Sequence, residues 1–516
     1  MDDKKNQQEQ LDVDTAALEK MNLKKHLWPD EIKAIEDKKK AKRRKVYVVC
    51  GLVLCIFLGW CGGSIVPLGL FDSLRIRVSS GLGLSSQDKI ASVLNVMEND
   101  WYFGNQIDDI DTRLEDQAIT GITTNSEDKH TEYMSEEEMT SFTQSINRNY
   151  VGIGVSYVVN GDMFMVEEVF KNSPAEKAGV QSGDIFYAVD GTKVAGKTSD
   201  ELKKLIQGDD GTTVTITFLR EGKYISLELT RTAVTATAYG YALDDNTVYL
   251  RINQFGDGTH DEVLSYLNDY ANHDVNLVLD LRNNGGGYLT SVSKIASLFL
   301  PKDTVVMKQE YRDGTIVETK TTGGTLDHIK KICILVNGNT ASAAEVLTLA
   351  LKEQRENTTI VGTTTYGKGT VQVSRQFEDG SALKYTTSRW LSPSGTWVNE
   401  VGITPDVEVK LHDVMYRSFV GMEEGESYQI DQVGEAIKDI QLALDYLGYP
   451  IDRTDGYFSS QTQASILQFQ KDYEMEETGN LDQTTYTAII GAVSFNWSTT
   501  TEHDTQLQKG QEILNG

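Results

Sequence analysis

The sequence predicts a multidomain α/β protein with a single membrane-crossing helix near its N-terminus. Three observations carry this. A 26-residue stretch without a charge, residues 46–71, follows a strongly basic segment; strands and helices alternate from about residue 232; and three helical patterns recur between residues 431 and 490. A chain of 516 residues exceeds what one hydrophobic core organises. The order expected along it is a cytoplasmic tail (1–45), a transmembrane helix (46–71), a helical region (72–148), a β-rich domain (149–231), an α/β core (232–412), a three-helix module (425–495) and a tail (496–516).

The uncharged run reads VYVVCGLVLCIFLGWCGGSIVPLGLF. About 20 apolar residues suffice to cross a bilayer. The preceding KKKAKRRK (38–45) is held in the cytoplasm by the positive-inside bias, so everything from about Asp72 onward is expected outside a single-pass cell-membrane anchor. A cleaved secretion signal is disfavoured, because the 45-residue leader is too long and no A-x-A site follows. A lipid on Cys61 is disfavoured by the bulky Trp60 before it. The formal charge is −27, and the first 45 residues carry 13 basic against 10 acidic side chains, so the remainder holds about −30. Phosphate contacts need clustered Lys and Arg, which argues against nucleic acid as a partner. Cys50, Cys55 and Cys61 lie in the apolar run and Cys333 stands alone, giving neither a disulfide framework nor a metal-binding pair. No cofactor or metal is expected.

In DKIASVLNVMENDWYF (88–103), Ile90, Val93, Leu94, Met97 and Trp101 recur at helical spacing. A weaker helix is expected around 112–122 and an acidic one from Ser135. The apolar face serves internal packing or a homodimer contact. From Asn149 to Arg231 the texture changes to short strands and turns with one helix at SDELKKLIQ. Gly152, Ile153 and Gly154, the run Ser173-Pro174-Ala175 with Ala178-Gly179, and Gly183-Asp184 before Ile185 make this stretch resemble a PDZ domain. Small residues at 152 and 154 let consecutive backbone N–H groups converge on a terminal carboxylate, while the adjoining strand edge takes an extended peptide. The bland alternative is a bulge in a strand. By the resemblance, residues 152–154 bind substrate, and the partners are protein or peptide C-termini.

Beyond residue 232 the order is TVYLRINQF (247–255), a helix near 260–271, LVLDLR (277–282), a helix from Leu289 to Leu300, KICILVN (331–337) and a helix from about Ser342 to Arg355, which predicts an α/β core followed by a β-rich end. GTTTYGKGT (362–370) matches a phosphate-cradling loop as far as Lys368, but Gly369 stands where Ser or Thr must ligate magnesium. TVQVSRQF (370–377) then alternates with a period of two, a strand where a P-loop requires a helix.

Ser342 falls at a strand-to-helix junction, where a hydroxyl is either an exposed nucleophile or an N-cap. Seven histidines occur, one of them in the leader and none in a GxSxG or HExxH setting, so a neutral lysine is the better base for a serine. Lys368 would need a pKa near 7 to 8, a cost of about 3 to 5 kcal/mol that burial can supply. Gly367 and Gly369 can bend it inward, and Tyr366 and Val371 can form apolar walls. Gln372 shares its strand face and can orient the amine; an exposed lysine on a glycine turn is the alternative. DLRNNGGGYL (280–289) offers glycine N–H groups, Gly286 among them, which with the N–H of Ala343 can bind an oxyanion, or which merely make a tight turn. Glu345 reads as a capping or helix-dipole residue.

DKHTEYM (128–134), LDLRNNGGG, NTASAAE, YGKGTVQ and GITPD (402–406), in this order, resemble the carboxyl-terminal processing peptidases, PDZ-containing serine proteases with a Ser-Lys dyad. The resemblance runs from about residue 88 to 410. It implies Ser342 as nucleophile, Lys368 as general base and Gln372 as its partner, in an α/β serine protease core (232–412). Lys129 stands where the family commonly has proline, in a structural turn. Residues 431–490, with IQLALDYLGY, DGYFSSQTQASILQFQ and GNLDQTTYTAI, resemble a three-helix peptidoglycan-binding domain; another protein is the alternative ligand. TEHDTQLQKGQEILNG reads as a loose tail or stray helix. The reading is a membrane-anchored endopeptidase that cleaves proteins near their C-termini. Its rivals are a non-catalytic scaffold that binds protein tails and wall glycan, and a wall hydrolase.

Overall fold

The computed structural model describes residues 86–516 except 125–127, 161, 162, 221 and 424. The expected membrane helix at 46–71 lies outside the described residues; within them no helix is long and apolar enough to cross a membrane. The chain divides into two compact units after Glu115. The described part of the first holds α1 (Ser86–Asn99), the expected amphipathic helix, on which Val93 and Val96 are exposed. Next come α2 (Ile110–Thr123), β1 (Glu132–Met134) and α3 (Glu136–Asn147). Ser135 and Glu138 start α3 with a reciprocal capping box, which satisfies two N–H groups that a helix N-terminus leaves bare.

The β-rich domain opens with β2 (Tyr150–Gly152), which pairs with β9 (Thr232–Val234) and so closes the domain on its own ends. Between them lie β3 (Val155–Asn160), β4 (Met163–Val169), α4 (Pro174–Ala178), β5 (Ile185–Val189), β6 (Thr192–Lys193), α5 (Ser199–Ile206), β7 (Thr213–Arg220) and β8 (Lys223–Thr230). The sheet order is β3-β4-β5-β7-β8, with β6 on β5. Ile153, Phe164, Leu202, Ile216 and Phe218 form its own core, all 1% exposed or less. The domain sits on the α/β core through Lys171, which donates to Ser265 O (2.7 Å), and through an ion pair of Glu168 with Arg251.

The core sheet contains β10 (Ala238–Asp244), β11 (Thr247–Ile252), β12 (Val275–Asp280), β15 (Ile329–Val336), β16 (Thr358–Gly362) and β19 (Val407–Glu408), in that order and parallel from β11 on. Its central strands read as unbroken apolar runs because both faces are covered. On one face, Leu277, Leu279, Ile334 and Val336 meet α6 (Thr259–Tyr270), α7 (Leu289–Ala296) and α8 (Ala343–Gln354). On the other, Val278, Cys333 and Leu335 meet Leu507 and Leu514 of the last helix.

A second, antiparallel sheet has the order β1-β18-β13-β14, built from β13 (Val305–Tyr311), β14 (Ile316–Lys320) and β18 (Ala382–Leu391), with β17 (Thr370–Gln376) also on β18. It takes in the expected β-rich end, as β17 and β18, and adds β13 and β14, which the sequence did not announce. The expected strand after Lys368 is β17.

The C-terminal module packs α9 (Glu435–Tyr446), α10 (Ser460–Asp472) and α11 (Gln483–Thr499) around Ile437, Ile440, Leu444, Ile466, Phe469 and Ile489. α11 runs beside β3, with Cα–Cα approaches of 8 Å or less, and so flanks the strand edge expected to receive a peptide. The terminal stretch is no loose tail: α12 (Thr505–Asn515) is built onto the back of the core sheet.

Candidate active site

Ser342 is the N-cap residue of α8, with φ 55° and ψ −118°. A non-glycine residue in this region costs about 1 to 3 kcal/mol and persists only where its surroundings enforce it. The enforcing group is Glu345. Its side chain is fully buried, and Oε2 accepts from the N–H groups of Ser342 (2.8 Å) and Lys368 (2.9 Å). Oε1 accepts from Gly367 N–H (2.7 Å) and the Thr365 hydroxyl (2.5 Å). One carboxylate thus ties the serine turn to the lysine loop. Capping was legible from the sequence; this bridge between loops 20 residues and more apart was not.

Lys368 reaches the same place from the loop between β16 and β17. Gly367 has φ +82°, and a Cβ there would lie 2.6 Å from Gly402 N, so the loop can make this approach only with glycine. The Trp390 indole donates to Lys368 O (2.7 Å), which fixes the backbone from the side opposite Glu345. Burial lowers the pKa of the ammonium and the charge of Lys384 lowers it further, against the opposing charges of Glu132 and Glu345. Val371 is the buried neighbour expected of it, whereas Tyr366 is half exposed, its hydroxyl accepting from Lys129 (3.4 Å).

Gln372 donates from Nε2 to the hydroxyls of Thr370 (2.9 Å) and Thr386 (3.0 Å), and Thr386 donates to Asp128 (3.2 Å). Asp128 also accepts from Thr131 Oγ1 (2.6 Å), so the DKHTEYM motif buttresses the strand that carries Gln372. The amide oxygen of Gln372 has no hydrogen-bond partner among the described residues.

Gly286 has φ +110°, and a Cβ on it would come within 2.9 Å of Ser342 Cβ and 3.1 Å of Ala343 N. The glycine lets its loop lie against the serine. Its N–H donates to Asn284 Oδ1 (2.8 Å), so in this arrangement the group expected to bind an oxyanion is already engaged. The N–H of Ala343 has no partner among the described residues. Ser342, Lys368, Gln372, Gly285 and Gly287 line one cleft of about 650 Å³, with Met139, Phe142 and Met307 as apolar wall. Ser342 Oγ and Lys368 Nζ share it without a hydrogen bond between them.

Gly152, Ile153 and Gly154 lie apart from this cleft, in the β-rich domain. Ile153 is buried, its carbonyl accepting from Ala175 N–H (2.8 Å), and Gly154 O accepts from Phe170 N–H (3.0 Å). Gly154 has φ +83°, and a Cβ there would stand 2.2 Å from Ser173 Cβ. The N–H groups of Ile153 and Gly154 have no partner among the described residues.

Residues 246–409 match the family model described as peptidase family S41, residues 165–220 match a PDZ domain, and residues 433–489 match a peptidoglycan-binding domain. The chain is similar to the "Probable CtpA-like serine protease" of Staphylococcus haemolyticus, 34% identical over 433 residues, covering 82% of this chain and 86% of the relative. It is 32% identical over 418 residues to the protein of the same description in Staphylococcus aureus, covering 81% and 83%. Among solved structures it is similar to a photosystem II D1 C-terminal processing protease, at 24% identity and a TM-score of 0.37, covering 64% of this chain and 94% of that one. The chain belongs to the carboxyl-terminal processing peptidases of family S41, serine-type endopeptidases, and carries in addition a PDZ domain and a peptidoglycan-binding domain.

Proposed function

We propose that the peptidase works through a Ser342–Lys368 dyad, anchored in the cell membrane by residues 46–71 with its catalytic part outside, on proteins whose C-terminal tails the PDZ domain captures. The observation that carries the dyad is the Glu345 carboxylate, which holds the backbone N–H of both residues at the edge of one cleft. Lys368, whose charged form burial and Lys384 disfavour, acts in its neutral form and takes the proton of Ser342 Oγ as that oxygen attacks the scissile carbonyl. The ammonium so formed returns the proton to the departing amine, and water then hydrolyses the acyl-serine by the same route. Gln372, its Nε2 tied to two threonines, offers its oxygen to the Lys368 amine. The oxyanion falls to the N–H of Ala343 and one N–H of the glycine loop; Gly286 serves if its peptide turns away from Asn284. The unpartnered N–H groups at Ile153 and Gly154 suit a terminal carboxylate. The three-helix module suits peptidoglycan, which supports a position between membrane and wall. Ser342→Ala tests the reading: proteolysis of a substrate with a free C-terminus should vanish while binding of its tail persists, and a variant that still cleaves would refute the dyad.

A further inference from the structure

The buried Arg282 guanidinium sits between two carboxylates, one two residues before it in sequence and one 222 residues after it. On one side is Asp280, at the end of β12, which accepts from Arg282 Nε (2.9 Å) and from the Tyr249 hydroxyl (2.7 Å). On the other is Asp504, the N-cap of α12. Arg282 donates from Nη1 to Oδ1 and from Nη2 to Oδ2 of Asp504, both at 2.8 Å, and from Nη1 to Gln506 Oε1 (3.2 Å). This is a bidentate contact between two largely buried side chains, the arrangement in which an arginine fixes direction as well as position. The Arg282 side chain is 8% exposed and that of Asp504 is 9%.

Arg282 also begins the loop that faces the nucleophile. Two residues on, Asn284 is fully buried; its amide donates to Ile252 O (2.7 Å), its oxygen accepts from Gly286 N–H, and its carbonyl accepts from Ala341 N–H (2.9 Å). Gly286 then packs on Ser342. From Asp504 to the serine the path is continuous: carboxylate, guanidinium, loop backbone, nucleophile turn.

We infer that Asp504, beyond the peptidoglycan-binding module, is a positioning residue of the peptidase: through Arg282 it sets the 282–287 loop against Ser342. The proposal rests on the reading of Ser342 as nucleophile. It makes the last 13 residues part of the catalytic domain, with the module at 433–489 an insertion between β19 and α12. The two ends of that insertion meet at the core, where Gln506 Nε2 donates to Val409 O (2.7 Å) and Thr505 Oγ1 to Lys410 O (3.2 Å).

Asp504→Asn isolates the contact. Asparagine caps a helix as well as aspartate does, and with its charge gone Arg282 remains matched one to one by Asp280, so α12 keeps its start and no unpaired charge is buried. In the full chain, kcat for a peptide with a free C-terminus should fall about ten-fold or more, since a small misplacement near the chemistry costs up to about 100-fold. KM should stay within about two-fold, the thermal midpoint should move little, and Asp504→Glu should recover part of kcat. Leu507→Ala, which empties a packing site of the same helix without touching Arg282, should lower the midpoint and leave kcat near wild type below it. The proposal is overturned if Asp504→Asn keeps wild-type kcat while Ser342→Ala abolishes turnover, an outcome that leaves the dyad standing. It is equally overturned if both α12 variants lose kcat in proportion to lost stability. If Ser342→Ala itself retains turnover, the dyad and the positioning role fall together.

Discussion

Replacing Glu345 by glutamine changes one oxygen into an amide nitrogen and should disable the site while the side chain keeps its shape. The carboxylate accepts four hydrogen bonds, two on each oxygen. The new NH2 group is least costly facing Thr365 Oγ1 and Gly367 N. Even so, Gly367 N–H then meets a donor, and Thr365 can accept only in competition with Ile403 N–H, which already donates to it at 2.7 Å. Bonds to a charged acceptor contribute about 1.5 to 3 kcal/mol each, and an orphaned buried donor costs about 1 to 3 kcal/mol. Two lost bonds and the weakening of the others come to about 3 to 6 kcal/mol. For a domain of this size that is a fall in Tm on the order of 10 °C. The larger effect should be on turnover. The carboxylate restrains Ser342 at its positive φ, so kcat should drop about 100-fold at temperatures where the variant is fully folded. Calorimetry with peptide turnover at 20 °C below the variant's Tm separates the two losses. The charge of Glu345 also opposes deprotonation of Lys368, so the residual activity should have its acid limb at lower pH than wild type. A variant with wild-type turnover and Tm would refute the bridging role.

The remaining predictions concern the amine and the peptide loop. Burial and Lys384 hold the Lys368 pKa below its ordinary value, so activity should rise with pH until that lowered pKa is passed. Lys384→Gln removes a repelling cation and leaves Glu132 unpaired, and both changes favour the ammonium; the acid limb of the pH–rate profile should move to higher pH, and an unmoved limb would mean that another group titrates. Gly154→Ala forces a Cβ onto Ser173 at a positive φ. Affinity for a tailed peptide, measured by anisotropy, should fall about ten-fold or more while Ser342 still reacts with a fluorophosphonate; unchanged affinity would remove this loop from tail recognition.

Much of this was legible because it is local. The apolar runs at 277–281 and 331–336 announce buried parallel strands, and the helices between them recur at their proper spacing. Ser342 and Lys368 each sit at a boundary where the periodicity changes, which marks a loop end that a sheet can carry to one cleft, and Gln372 lies on the alternating strand just beyond the lysine loop. What was not legible depends on partners distant in sequence. β1 spans three residues and acquires its identity only by pairing with β18, some 250 residues later. Glu345 looked like a cap because half of its work is capping; the other half needs a loop whose path the sequence does not state. The N–H of Gly286 is taken by a side chain two residues away, a choice of rotamer and not of pattern. The terminal stretch, rich in glutamine and with few apolar residues, read as a tail, yet Gln506 is fully buried because its amide finds both Arg282 and Val409.

The crossing of the chain at Val409 and Gln506 decides what a force on the wall-binding module would do. A domain appended at a free end would pull along the last strand and peel it. Here the two segments that join the module to the catalytic body leave it side by side, so traction would load the amide clasp between them and the nearby aspartate before it strained any rung of the sheet.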